Sequence, residues 1–170
     1  MTTYTVVVMP KAQSLKPVAS VNAYVDALKM LARRELSEAQ VRDRLARKGH
    51  DPATIDDAVA RLRAERAIDD VRVAETIART ESTLRRRGKL RVRRQIEQAG
   101  VAGATARRAI DEVMGSIDTE ALLEASPARR LHGRERIAND AEFRRLYRYL
   151  MAQGFESERI IKALTARRRD

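Results

Sequence analysis

The sequence has no cysteine and no tryptophan, only four tyrosines and two phenylalanines, and seven glycines with four prolines. Without cysteine there is no disulfide, no thiolate nucleophile and no Cys-ligated metal, which fits a reducing cytoplasm. No apolar run approaches the roughly 18 residues that a membrane-spanning helix needs. Met1–Pro17 shows no basic start followed by an apolar run and a small-residue cleavage site, so it does not read as a signal peptide. Its Tyr4–Met9 stretch is strand-like but has nothing to pair with, and residues 1–18 are expected to form a flexible tail. Acidic residues are also short: 24 stand against 35 Lys and Arg, leaving a formal charge of +11 and a pI near 10.7. That surplus says nothing about fold. It favours a polyanionic partner, either nucleic acid or an acidic protein surface.

What remains is rich in Ala, Arg, Glu and Leu, all good helix formers. Tyr24, Ala27, Leu28 and Leu31 recur at the spacing of an amphipathic helix. Ser37 with Gln40 three residues on forms a capping box for a second helix that buries Val41 and Leu45 and ends at Gly49. Asp51-Pro52 then opens a third helix, whose apolar face is Ile55, Val59 and Leu62.

The frame recurs when Gly49, Gly100 and Gly154 are aligned. Four residues before them stand Leu45, Ile96 and Leu150, and eight before stand Val41, Val92 and Leu146. Six after come Ile55, Ala106 and Ile160; nine after, Ala58, Ala109 and Ala163; ten after, Val59, Ile110 and Leu164. A period of about fifty residues signals an array of small units that lean on their neighbours. The expectation is all-α: three tandem three-helix repeats at residues 19–68, 69–115 and 116–170. The second unit's first helix should run from Asp70 through Val73, Ala74 and Ile77 to Leu84. In the third unit Ile117, Ala121 and Leu122 begin a helix that Pro127 breaks near Ser126, and Asn139 with Glu142 starts the next.

Seven of the ten residues from Arg85 to Arg94 are Arg or Lys. Crowded like charges cost stability, and few acids nearby compensate them, so Arg85, Arg86, Arg87, Lys89, Arg91, Arg93 and Arg94 are candidate contacts for phosphates or an acidic groove. Arg144, Arg145 and Arg148, interleaved with Tyr147 and Tyr149, form a second candidate patch. Two rings two positions apart on a helix are not expected both to face inward. Arg167-Arg168-Arg169 reads as a charged chain end.

Nothing reads as catalytic or metal-binding. Asp69-Asp70 lacks a third ligand and suits helix capping. His50 is expected as a half-buried packing residue and His132 as an exposed one, with no nucleophile in frame with either. Gly100–Gly103 lacks the Lys and the preceding strand of a phosphate loop. No cofactor is implied.

Three motifs resemble the RecX family of recombination regulators. They are Ala67-Ile68-Asp69-Asp70-Val71-Arg72-Val73-Ala74; Arg87-Gly88-Lys89-Leu90-Arg91-Val92, with Gln95-Ile96 and Gly100-Val101 following; and Leu150-Met151-Ala152-Gln153-Gly154-Phe155. The motifs stand in the family's order, and the match covers roughly residues 22 to 166. Ala67, Val73, Ala152-Gln153 and Pro127 depart from the family's usual residues. The resemblance implies an elongated, curved helical protein without enzymatic activity. It also implies binding to the groove of the RecA recombinase filament, with loss of recombinase and ATPase activity in DNA repair and recombination. A cytoplasmic monomer with no membrane association is expected. The alternative is a sequence-independent binder of single- or double-stranded DNA without a protein target.

Overall fold

The computed structural model describes residues 18–127, 131 and 136–168, with side chains from residue 22 on. The expected tail over residues 1–18 falls almost wholly outside the described residues, as do His132 and Arg169. Among the described residues the chain is helical: α1 Val18–Leu31, α2 Glu38–Arg47, α3 Pro52–Ala64, α4 Asp70–Arg79, α5 Lys89–Gln98, α6 Gly103–Met114, α7 Thr119–Ala125, α8 Asp140–Gln153 and α9 Ser157–Thr165. A single parallel bridge joins Ile137 to Arg168.

The helix starts follow from their caps. Ser37 and Gln40 make the reciprocal box on α2, and Asp51 accepts the Thr54 N–H ahead of Pro52 on α3. Asp69 accepts from the Val71 and Arg72 N–H groups on α4, and Asn139 accepts from Glu142 N on α8. Each satisfies donors that the first turn would leave orphaned. α7 stops at Ala125, just ahead of Pro127, as the proline requires.

Three apolar cores line up along the chain, in an elongated array. Val41, Leu45, Val59 and Leu62 centre the first; Val92, Ile96, Ala106 and Ile110 the second; Leu146, Leu150, Ile160 and Leu164 the third. The repeat frame therefore reports core positions, with Ala163 only partly buried.

Two expectations are corrected. Leu84 does not continue the apolar stripe of α4 and is 79% exposed. Beyond Arg79 the helix widens into a π-turn over Thr80–Leu84. The Ser82 hydroxyl donates to Ala78 O at 2.7 Å and the Thr83 hydroxyl to Arg79 O at 2.5 Å. These side chains compete for the carbonyls of the preceding turn, and the register shift buries Glu81 and Ser82 and turns Leu84 outward. Tyr147 and Tyr149, for their part, both pack against the third core. They flank the Leu146/Leu150 stripe at about 80° on either side (100° per residue), so each ring folds onto one edge of it.

The units join end to end by one device used twice. At the second junction Gly88 N donates to Gln153 O at 3.0 Å and Leu90 N to Gly154 O at 3.1 Å. Orphan donors at the start of α5 thus meet orphan acceptors at the end of α8, and α5 has no side-chain cap. At the first junction the Ser37 hydroxyl, at the start of α2, donates to Ala99 O at the end of α5, and Glu38 N donates to Asp70 Oδ1 at 2.9 Å. The backbones approach so closely that a Cβ on Gly100 would overlap Ala39 Cβ, and one on Gly154 would overlap the Arg91 backbone.

Candidate partner-binding surface

The seven cations between Arg85 and Arg94 occupy three different settings. Arg85 follows the π-turn and its Nη1 donates to Glu81 Oε1 at 2.7 Å, a carboxylate only 6% exposed. Arg93 Nε donates to Glu97 Oε1 at 2.7 Å. The expectation of few compensating acids is thus corrected, because Glu81 and Glu97 each lie one helical turn from their arginine and share its face.

Arg87 and Arg91 are turned toward the third unit. Arg87 Nη1 donates to Gln153 Oε1 and Arg91 Nη1 to Ala152 O at 3.2 Å. They reinforce the second junction, where the carbonyl end of α8, the negative pole of its dipole, faces them. Arg86, at φ 55 in a left-handed loop position, and Lys89 and Arg94 on α5 form no ion pair among the described residues.

The second patch divides similarly. Arg145 Nη2 lies 3.3 Å from Glu142 Oε1, and Glu142 also receives the Ala138 N–H at 2.8 Å. Arg144 and Arg148 are exposed, without ion pairs among the described residues. Arg168 stacks over the Phe143 ring at 4.7 Å. Tyr147 shares a hydrogen bond with Ser157 at 2.8 Å.

A third basic surface is not evident from the sequence. Lys29, Arg33 and Arg34 from α1 and its following loop face Arg44 and Lys48, from α2 and its C-terminal cap, across a cleft of about 320 Å³. Asp26 is the acid in it. The His50 ring nitrogen at 3.1 Å and Lys48 Nζ at 3.1 Å hold the Asp26 carboxyl below its ordinary range. His50 is half-buried as expected, and its position is fixed by this polar contact as well as by packing. The only signal for the cleft was the four-residue spacing of cations across the ends of two different helices, Lys29/Arg33 and Arg44/Lys48, which no single run of sequence displays.

Glu38 sits at the first junction. Burial raises its pKa, but the Arg42 and Arg63 guanidiniums outweigh that and leave it lowered. Among the described residues no group of three or more His, Cys, Asp or Glu could hold a metal ion, and no helix is long and apolar enough to cross a membrane.

Comparison with known proteins places this arrangement. The model of the first three-helix domain of RecX matches residues 23–62. A regulatory protein RecX from Halorhodospira halophila is 32% identical over 141 residues, 82% of this chain and 84% of that one. One from Syntrophotalea carbinolica is 31% identical over 80% of this chain and 90% of its own length. The crystal structure of RecX from Lactobacillus salivarius superposes with a TM-score of 0.69 over 87% of this chain and 96% of that chain. A second RecX crystal structure gives 0.72 over 87% and 72%. At 18% and 17% identity these two speak to the fold alone.

Proposed function

The chain belongs to the RecX family of regulatory proteins, and from that premise we propose that it acts on the RecA recombinase, lying along the filament groove and lowering recombinase and ATPase activity. The observation that carries this reading is Leu84, 79% exposed directly ahead of three arginines. A protein groove can take up an exposed leucine as an apolar anchor while cations around it steer and register the contact. A phosphate backbone offers a leucine nothing. The pairing recurs in Leu90 beside Lys89 on α5, and in Met151 near Arg148 on α8, at 47% and 40% exposure.

Of the basic residues, Arg86, Lys89 and Arg94, with Arg144 and Arg148, are the proposed direct contacts, because no acid among the described residues occupies them. Arg85, Arg93 and Arg145, held by neighbouring glutamates, and Arg87 and Arg91, held at the junction, shape the surface around them.

The test is the single-stranded-DNA-dependent ATPase of a RecA recombinase titrated with this protein. Wild type is expected to inhibit at amounts well below those that coat the DNA. Leu84→Ser and the triple variant Arg86→Ala/Lys89→Ala/Arg94→Ala should keep the helical circular dichroism and lose about tenfold or more in potency. Inhibition that appears only when the DNA is saturated, and that ignores Leu84→Ser, would overturn the reading in favour of a sequence-independent DNA binder.

A further inference from the structure

The two junctions between units are not equally braced. Each leaves a cleft beside it, about 370 Å³ at the first and about 270 Å³ at the second, so open space does not set them apart. Their polar contacts do. Across the first junction, Glu35–Glu38 hold two helices of the second unit at once. Glu35 pairs with Arg72 and accepts from the Thr76 hydroxyl at 3.2 Å, while Glu38 N donates to Asp70 Oδ1 at 2.9 Å. The Ser37 hydroxyl meanwhile donates to Ala99 O, at the end of α5. Asp70 to Thr76 alone covers about 9 Å of helix. The contacts are therefore spread along α4 and out to the end of α5, and they include an ion pair.

Across the second junction every hydrogen bond converges on Ala152, Gln153 and Gly154. Gly88 N and Leu90 N donate to the Gln153 and Gly154 carbonyls, Arg87 Nη1 to Gln153 Oε1 and Arg91 Nη1 to Ala152 O. All these acceptors are neutral, and no ion pair crosses this junction among the described residues. Arg87 Nε and Arg91 Nε are also buried there without a hydrogen-bond partner among the described residues. These two guanidiniums thus gain less from the closed junction than Arg72 gains from the Glu35 carboxylate. The other connection is the chain itself, residues 115–118 between α6 and α7, where Ile117 packs against the second core. The cleft touches both connections, since Gly88 and Gly154 line it and so do Gly115 and Ile117.

Two points of attachment define an axis, whereas contacts spread over two helices fix an orientation. We propose that the first two units form one rigid arm and that the third unit turns on it at the second junction, with residues 152–154 and 115–118 as the hinge. The basic residues assigned above stand on both sides of it. Arg86, Lys89 and Arg94 belong to the arm, and Arg144 and Arg148 to the third unit. Turning changes the separation of the two patches, so that one chain fits both to partner surfaces of different curvature. The hinge adds a change of shape to the recombinase reading and stands without it.

The test uses the full chain alone. It has no native cysteine, so a pair of introduced cysteines carries the only nitroxide labels. Double electron–electron resonance then reads the distribution of distances across each junction. Asp57 on α3, Arg108 on α6 and Glu158 on α9 are exposed, and labels there leave the junctions intact. The Arg108→Cys/Glu158→Cys pair should give a distribution about twice as broad as the Asp57→Cys/Arg108→Cys pair, as a hinge beside a fixed contact requires. Gln153→Glu offers Arg87 a carboxylate and should narrow the second distribution; adding Arg87→Gln should restore its breadth. Glu35→Ala removes the brace of the first junction and should broaden the first distribution toward the second. Equal widths across the two junctions, read with surface substitutions alone, would overturn the hinge. So would a second distribution that ignores Gln153→Glu together with a first that ignores Glu35→Ala. Because no recombinase is present, failure here leaves the ATPase experiment untouched.

Discussion

The junctions between units can be tested with four glycines that separate backbone strain from crowding. Gly49 and Gly154 both hold a left-handed backbone, at φ 88 and 90. Among the described residues nothing lies within 4 Å of where a Gly49 Cβ would stand, whereas a Gly154 Cβ would overlap the Arg91 backbone. Gly88 is the complement. Its φ of −76 suits any residue, but its Cβ would overlap Gly154 O and come within 2.7 Å of Phe155 N. Gly49→Ala should therefore cost the left-handed penalty of about 1–2 kcal/mol, and Gly88→Ala only the crowding of about 1–3 kcal/mol. Gly154→Ala carries both, about 2–5 kcal/mol together. For a chain of this length each kcal/mol lowers the melting temperature by ~2–4 °C, which orders the variants by circular-dichroism melting. Gly100→Ala, facing the Ala39 side chain, should resemble Gly154→Ala. The double variant Gly88→Ala/Gly154→Ala should be less damaging than the sum, since a junction opened once cannot be opened again. If Gly49→Ala proved as harmful as Gly154→Ala and Gly88→Ala were silent, the helix-end junctions described here would be wrong.

Two further perturbations address charge. Arg85→Ala strands the nearly buried Glu81 carboxylate and should cost about 1–2 kcal/mol, the low side of a buried pair because the arginine end faces water; Arg86→Ala should stay within about 0.5 kcal/mol, both by urea unfolding. Asp26, Glu38, Asp51 and Glu65 all titrate below their ordinary values, 3.8 for the aspartates and 4.5 for the glutamates. A depressed folded pKa gives stability that is fully present above the unfolded value and is lost as pH falls through the folded one. Unfolding free energy should thus hold between about pH 5 and 7 and decline below the carboxylate range, less steeply in Glu38→Gln; a decline as steep in that variant as in wild type would show that the Arg42 and Arg63 contacts do not hold Glu38.

The sequence displayed the second and third helices of each unit clearly, because Ser37, Asp51 and Asn139 are caps whose chemistry is local and Gly49, Gly100 and Gly154 end helices by backbone conformation alone. It displayed the core positions for the same reason: periodicity reports which side chains share one face of one helix. It could not display how one unit meets the next. Gly88 starts α5 without a side-chain cap because the donors there are used by carbonyls of the next unit, and Arg87 and Arg91 look identical in sequence to Arg86 and Arg94. The π-turn was hidden for a related reason, since Ser82 and Thr83 widen the helix through hydroxyl bonds that leave no mark on the apolar pattern.

The start of α8 differs from the starts of α2 and α5, which dock against the next unit. In the first two units the docking helix begins eleven residues before its glycine, at Glu38 before Gly49 and at Lys89 before Gly100; in the third, Asp140 stands fourteen before Gly154. The extra turn lies at the end that docks in the other units. It is closed off by the Asn139 cap, by Glu142 reaching back to Ala138 N, and by the Ile137 N–H bond to Arg167 O at 2.9 Å. Those donors are thus spent inside the third unit. The opposite end, at Gly49, stays open, but the surface beside it carries Lys48, Arg44 and Arg33 rather than an apolar seat.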